Sequence, residues 1–275
     1  MFYRGMDIGT AKPTLSDRKR VPHHLIDITE PDQPWSLATF QDHAHQAMME
    51  IHARGRLPLL VGGTGQYLRA LVQDWQLPRV EPDWRMRKAL EDWAREIGLA
   101  GIHQRLSLID PQAASSIDAR NLRRSIRALE VIFTTGVRFS EQRRSGSSHY
   151  QVLQVGLTMP RAVLFERIDR RIESMLESGL VAEVKNLLER GFPPDIPVFS
   201  AIGYRQIIAH LQGSLSLSEA EMEIKRATRV LVRRQANWFK VNDPGIHWVE
   251  LSTTGNMAII EFIRSWLNSN PTAVI

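Results

Sequence analysis

At 275 residues and 43% hydrophobic, the chain is long enough to bury a sizeable core, as one large domain or two smaller ones. It contains no cysteine, which excludes disulfides, thiolate metal sites and cysteine nucleophiles, and no membrane span or signal peptide is expected from its hydropathy. Its net charge of +5 points to a polyanionic partner only if the cations cluster, and they do.

Residues 1–13 carry neither strand nor helix periodicity and read as a glycine-punctuated loop, with Lys12 suited to phosphate contact. His23–Ile28 reads as a short strand. Its paired histidines would point to opposite faces, so no metal site is expected there. Ser36 is a candidate N-cap for a helix carrying Leu37, Phe40, Ala44, Ala47, Met48 and Ile51 at helical spacing, and Gly55 stops it. The apolar run 57–61 then reads as a buried parallel strand that completes a βαβ unit. It ends in Gly62-Gly63-Thr64-Gly65, a tight turn into a helix with Tyr67, Leu68 and Leu71 apolar. Ligands of open α/β sheets bind at such strand ends. Thr64 therefore has two readings, a hydroxyl that touches a bound group or a helix N-cap.

Pro78 and Pro82 mark a boundary. From Asp83 to about Ser140 the pattern is helical throughout: Trp84–Ile97, a break at Gly98, Ile102–Leu108, a segment from Asp110-Pro111, and Asn121–Thr134. Seven arginines between Arg120 and Arg144 face only Glu130 and Glu141. Ser145–Ser148 reads as a flexible return. Tyr150–Thr158 alternates as a strand. Helices follow from Pro160 (with Arg167, Arg170, Arg171 and Met175), over Val181–Arg190, from Ile202-Gly203-Tyr204 and over Ser218–Lys240. Six basic residues and no acid lie between Lys225 and Lys240. Arg226, Arg229 and Arg233 share one helical face, while Ala227, Leu231 and Trp238 share another. A strand at Ile246–Leu251 and a helix at Met257–Leu267 end the pattern.

Six motifs stand in order: Tyr3–Pro13 (Y-R-G-M-D-I-G-T-A-K-P), His23–Asp27, Gly62–Tyr67, Arg127–Val131 (R-A-L-E-V), Gly203–Gln206 and Arg233–Gln235. Together they resemble the bacterial tRNA dimethylallyltransferase (tRNA isopentenyltransferase) family, from residue 1 to about residue 251. The resemblance implies transfer of the dimethylallyl group of dimethylallyl diphosphate to the exocyclic N6 amine of the adenosine 3′-adjacent to the tRNA anticodon, with Mg²⁺ as cofactor. It implies an α/β fold: a P-loop NTPase-like parallel-sheet core over residues 1–80 and 148–275, with an all-helical tRNA-binding insertion over 81–147. By resemblance Thr64 and Arg87 are catalytic positions. Arg123, Arg124, Ser125, Ile126 and Arg127 match a tRNA-contacting segment, although the family usually has glutamine where Arg123 stands. Arg205, Arg229 and Arg233 match further tRNA-facing positions, and Lys12, Arg167 and Arg171 match diphosphate-facing ones. The partners implied are a tRNA anticodon stem-loop and dimethylallyl diphosphate, in a cytoplasmic monomer with no membrane contact.

The family pattern opens with a strand, a G-x-x-x-x-G-K-[ST]-like loop and an aspartate shortly before the residue that is Tyr3 here. None of these occurs in the sequence. The reading is therefore of a chain lacking roughly forty N-terminal residues, the size of a strand–P-loop–helix–strand unit. It is expected to bind tRNA with negligible transfer, to leave an apolar sheet surface uncovered, and to have the missing unit encoded upstream of Met1. Two other readings stay open: an adenylate isopentenyltransferase acting on a free nucleotide, and a non-catalytic RNA-binding relic.

Overall fold

A computed structural model describes residues 1–76, 78, 80, 83–142, 144–146, 150–251 and 255–270, without the side chains of residues 144, 145, 255 and 256. Pro82, Arg143, Ser147 and Ser148, all used in the sequence reading, lie outside that set. The chain divides into two compact units, Met1–Leu68 with Tyr150–Ile275, and Arg69–His149. The sequence reading drew its insertion over 81–147.

The first unit is α/β. A short helix α1 (Leu15–Arg20) is closed by a capping box between Thr14 and Asp17. Helix α2 (Leu37–Ala53) starts as expected, with Ser36 Oγ accepting the Thr39 N–H at 3.0 Å, and buries Phe40 and Ala44. Helix α3 (Gly65–Val72) begins in this unit. Phe2, Trp35, Phe40 and Tyr67 form an aromatic cluster, stacked except for the tilted Phe2–Phe40 pair, with centroids 4.6–6.0 Å apart; the cluster fastens the chain start to the first turns of α2 and α3.

Two expected strands are not strands. Residues 23–28 form no strand and bend at 25–27, with Leu25 and Asp27 both at positive φ, and a single parallel bridge joins Tyr3 to Thr29. The run 57–61 is in no helix or strand and makes no backbone ladder bond among the described residues, and Val61 is 89% exposed. A buried parallel strand takes its burial from neighbours on both sides, and among the described residues none pairs with this one. Pro58 also removes a ladder donor. The expected parallel sheet is therefore realised as one pair, β3 (Gln154–Thr158) with β4 (Ile246–Glu250), in register from Gln154↔Ile246 to Thr158↔Glu250.

The core of this unit is helical. It is made by α8 (Arg161–Glu177), α9 (Leu180–Glu189), α10 (Tyr204–Leu211) and α11 (Leu217–Trp238), with Ile172, Val184, Phe199, Tyr204 and Ile207 buried at its centre. Helix α12 (Gly255–Ser269) lies on β4, where Phe262 stacks on His247.

The second unit takes up the rest of α3 and a two-residue ribbon, β1 (Trp75–Gln76) with β2 (Arg144–Ser145), antiparallel. Helices α4 (Trp84–Ile109), α5 (Pro111–Ser116) and α6 (Leu122–Thr135) follow one another as the sequence pattern predicts, and a short helix α7 (Phe139–Gln142), which the pattern did not show, comes after them. Gly98, at φ 76° and ψ 167°, kinks α4 where the break was read. Asp110, fully buried, caps α5 through Ala113 N and takes both the N–H and the hydroxyl of Ser140, which joins α5 to α7.

Candidate active site and RNA-facing surface

In the first unit, the turn Gly62–Gly65 leaves Thr64 exposed at the start of α3. Its carbonyl accepts the N–H groups of Tyr67 and Leu68 at 3.0 and 3.1 Å. No hydrogen bond of the Thr64 hydroxyl occurs among the described residues, so that hydroxyl does not cap the helix. Gly65 is required by packing, Gly63 faces the movable end of a side chain, and nothing lies within 4 Å of a Cβ on Gly62. A Cβ on Gly63 would lie 2.2 Å from the Gln235 amide, and one on Gly65 would lie 2.3 Å from the Trp238 side chain. The C-terminal half of α11 thus backs the turn that presents Thr64. Gln235 and Trp238 were quoted in the sequence as motif and apolar face, but nothing in their spacing linked them to the turn.

The loop at residues 3–13 does not offer its backbone to a ligand. Glu183, on α9, accepts the N–H groups of Asp7, Ile8 and Gly9 at 2.8, 2.7 and 3.1 Å, and the Tyr204 hydroxyl at 2.6 Å. Burial, and then the bond to Glu183, raises the Tyr204 phenol well above its ordinary range, so it stays a donor. Lys12 is likewise spent internally. Its side chain is 2% exposed, and its Nζ pairs with Asp7, with Asp27 at 2.5 Å and with the Tyr3 carbonyl at 2.7 Å. Burial pushes the Asp27 carboxyl up, but the bonds from Lys12 and Arg18 outweigh it and hold the group below the usual carboxylate range. This network forms one wall of a cleft of about 620 Å³ that Arg18, Arg171 and Ser174 also line. Lys12, expected to hold diphosphate directly, is placed instead to shape that wall; Arg171 is the exposed cation there. Arg167 is exposed and lines neither of the two clefts described here.

A second cleft of about 500 Å³ runs between α8 and α11, lined by Arg161, Phe165, Lys225, Arg226, Arg229 and Arg233. The predicted basic face of α11 is therefore real. Arg229 is held by Asp169 at 2.6 Å and lies over Phe165, while Arg233 has no partner among the described residues. Arg205 is exposed on the first turn of α10.

In the second unit, the organising group is Glu130, fully buried on α6. It takes Arg87 in a two-point bond (Nε to Oε1 and Nη2 to Oε2, both 2.9 Å), Arg127 Nη1 at 2.7 Å and the Asp83 N–H at 2.8 Å. Burial would raise this carboxyl, but the two guanidinium groups and the Asp83 N–H outweigh it and lower it below the ordinary glutamate value. Arg127 also donates to the Val80 carbonyl at 2.9 Å. Of the segment 123–127, Arg123 and Arg124 are exposed, while Ser125 and Ile126 are buried. The last two side chains face the core, whereas the resemblance implied a tRNA-contacting segment throughout. The core-facing stripe of an amphipathic helix passes through this segment, and the motif could not reveal which positions it takes. Glu130 itself had a signal, the three-residue spacing from Arg127 in R-A-L-E.

A model of the family described as IPP transferase matches residues 1–242. The chain belongs to the IPP transferase family. It is 52% identical over 238 residues to a tRNA dimethylallyltransferase of Roseiflexus sp. (strain RS-1), covering 86% of this chain and 78% of that protein. It is 44% identical over 266 residues to a tRNA dimethylallyltransferase of Dehalococcoides mccartyi, covering 97% and 82%. The solved tRNA isopentenylpyrophosphate transferase of Bacillus halodurans is similar with TM-score 0.70 at 41% identity, covering 98% of this chain and 86% of that one. Family membership gives the two arginine-rich surfaces and the exposed Thr64 a common context.

No helix among the described residues is long and apolar enough to cross a membrane. Among the same residues no group of three His, Cys, Asp or Glu is placed to hold a metal ion, and both carboxylates of the loop network, Asp7 and Asp27, are on Lys12. These residues do not fit a protein-held Mg²⁺ site.

Proposed function

We propose that this chain is a tRNA dimethylallyltransferase, acting on the N6 amine of the adenosine 3′-adjacent to the anticodon with dimethylallyl diphosphate as donor. The observation that carries the reading is Thr64, an exposed hydroxyl presented by a glycine turn on the α11 side that bears Gln235, in a chain 52% identical to a protein of that name. In the reaction the C1–O bond of the donor breaks and its electron pair leaves with the diphosphate. The adenine N6 bonds to C1, and N6 then loses a proton. The leaving diphosphate needs cations near its developing charge. Arg171, on the wall of the larger cleft, is the exposed guanidinium assigned to it, with Lys12 and Arg18 shaping the wall. Thr64 is assigned to orient the adenine or the diphosphate by hydrogen bonding. The helical unit, through Arg123 and Arg124, and the α11 face, through Arg229 and Arg233, are assigned to tRNA phosphates. A P-loop NTPase-like core is supported by the likeness to the solved transferase. Mg²⁺ is assigned only as counter-ion of the diphosphate, and no step is routed through it. A cytoplasmic monomer completes the reading.

The test is a transfer assay with isotopically labelled donor, offering an anticodon stem-loop and free AMP as acceptors. Label in the stem-loop alone is the expected result, in place of the negligible transfer that the sequence reading expected. Label in AMP alone would make the protein an adenylate isopentenyltransferase, and tight stem-loop binding without label would make it a non-catalytic RNA-binding protein.

A further inference from the structure

Trp84 opens α4 in the stretch Asp83-Trp84-Arg85-Met86-Arg87-Lys88, and it is 60% exposed. The helix does not need it for packing: Trp93, further along α4, is the tryptophan that packs on the core of this unit. The Arg87 guanidinium lies 5.0 Å from the centroid of the Trp84 ring. That cation is fixed in place, because its two-point bond to buried Glu130 sets its plane. The indole is thus braced by an immobilised cation while most of its surface stays in water.

The surroundings are cationic. The Arg85 side chain is exposed and has no partner among the described residues, while Lys88, exposed on the next turn, pairs with Asp92 at 3.7 Å, and the Asp83 carboxylate is taken by the N–H groups of Arg85 and Met86. Arg127 shares the carboxylate that holds Arg87, and Arg123 lies one turn from Arg127 along α6. A π-face bordered by cations that reach phosphates on either side is the arrangement by which proteins hold single-stranded nucleic acid, the bases stacking on the aromatic ring. A duplex has no free base faces to offer. We infer that Trp84 is a stacking platform for an unpaired base of an RNA loop, one that favours loop over stem. This rests on the tRNA reading above and adds to it a residue that no motif or family position singled out.

The test uses the full chain and measures binding of an anticodon stem-loop and of its stem as a plain duplex, for the wild type and for Trp84→Ala, Trp84→Phe and Trp84→Leu. Trp84→Ala and Trp84→Leu are expected to weaken stem-loop binding about ten-fold, the scale of one stacked base, and Trp84→Phe to restore most of it. Duplex binding and the slope of log K against log salt are expected to stay at wild-type values, since no charge is removed. Thermal melts close to wild type will show that the exposed site tolerates the changes. If the wild type prefers the stem-loop and Trp84→Ala keeps that preference, the stacking assignment falls and the tRNA reading stands. Leucine working as well as phenylalanine would also overturn stacking. A wild type that does not distinguish stem-loop from duplex would remove the tRNA reading and this inference together.

Discussion

Thr64 shows how a residue's role depends on what its side chain is free to do. An N-cap threonine spends its hydroxyl on a backbone N–H, and loss of that bond lowers stability. Here the Thr64 carbonyl takes the helix N–H groups and the hydroxyl is left over. Thr64→Ala is therefore expected to cut turnover while the melting temperature stays near native, and a mutant with normal rate and a much lower melting temperature would restore the capping role. The arginines divide in the same way. Arg127→Ala removes a bond to buried Glu130 and one to the Val80 carbonyl, so a loss of about 2 kcal/mol in denaturant unfolding is expected. Glu130 also adds a pH dependence. Its folded-state carboxyl is lowered by its partners, so its contribution is complete above the ordinary glutamate value and is lost as pH falls through the lowered one. Unfolding followed across the acid range should show this limb in the wild type and a flatter one in Glu130→Gln.

At the scale of elements, helices carry their own hydrogen bonds and strands do not. The starts of α2 at Ser36 and α6 at Asn121, and the kink of α4 at Gly98, fall where the residues put them, because each is decided within a few positions. The run 57–61 has the composition of a buried strand, but a strand exists only with a partner, and no local pattern supplies one. The turn after it is set by contact rather than by φ. Gly65→Ala would drive a methyl group into Trp238 on α11 and is expected to destabilise by about 1–3 kcal/mol, read as a lower denaturation midpoint with an unchanged slope. A wild-type midpoint for this variant would mean that α11 does not back the turn.

Across the whole molecule, a net charge of +5 says little about where RNA would be held, but its distribution says more. Arg123 and Arg124 are exposed and committed to no internal pair among the described residues, unlike Arg87 and Arg127. Arg123→Ala with Arg124→Ala is expected to flatten the salt dependence of stem-loop binding by about two units, at little cost in stability. An unchanged slope would take the helical unit out of the RNA interface. The sequence by itself determined the longer helical segments and most of their ends, though not the short α1 and α7, and also the helical character of the arginine-rich insertion, the two basic surfaces and, through six ordered motifs, the family. These rest on short-range spacing and on residue chemistry, which the chain carries locally. Only the tertiary structure decided which cations are free. Lys12 is enclosed by Asp7 and Asp27, Arg87 and Arg127 are held by Glu130, and the loop N–H groups are taken by a glutamate 174–176 positions away. A charge in a sequence has no partner until folding brings one within hydrogen-bonding distance, and that distance separates a binding residue from a structural one.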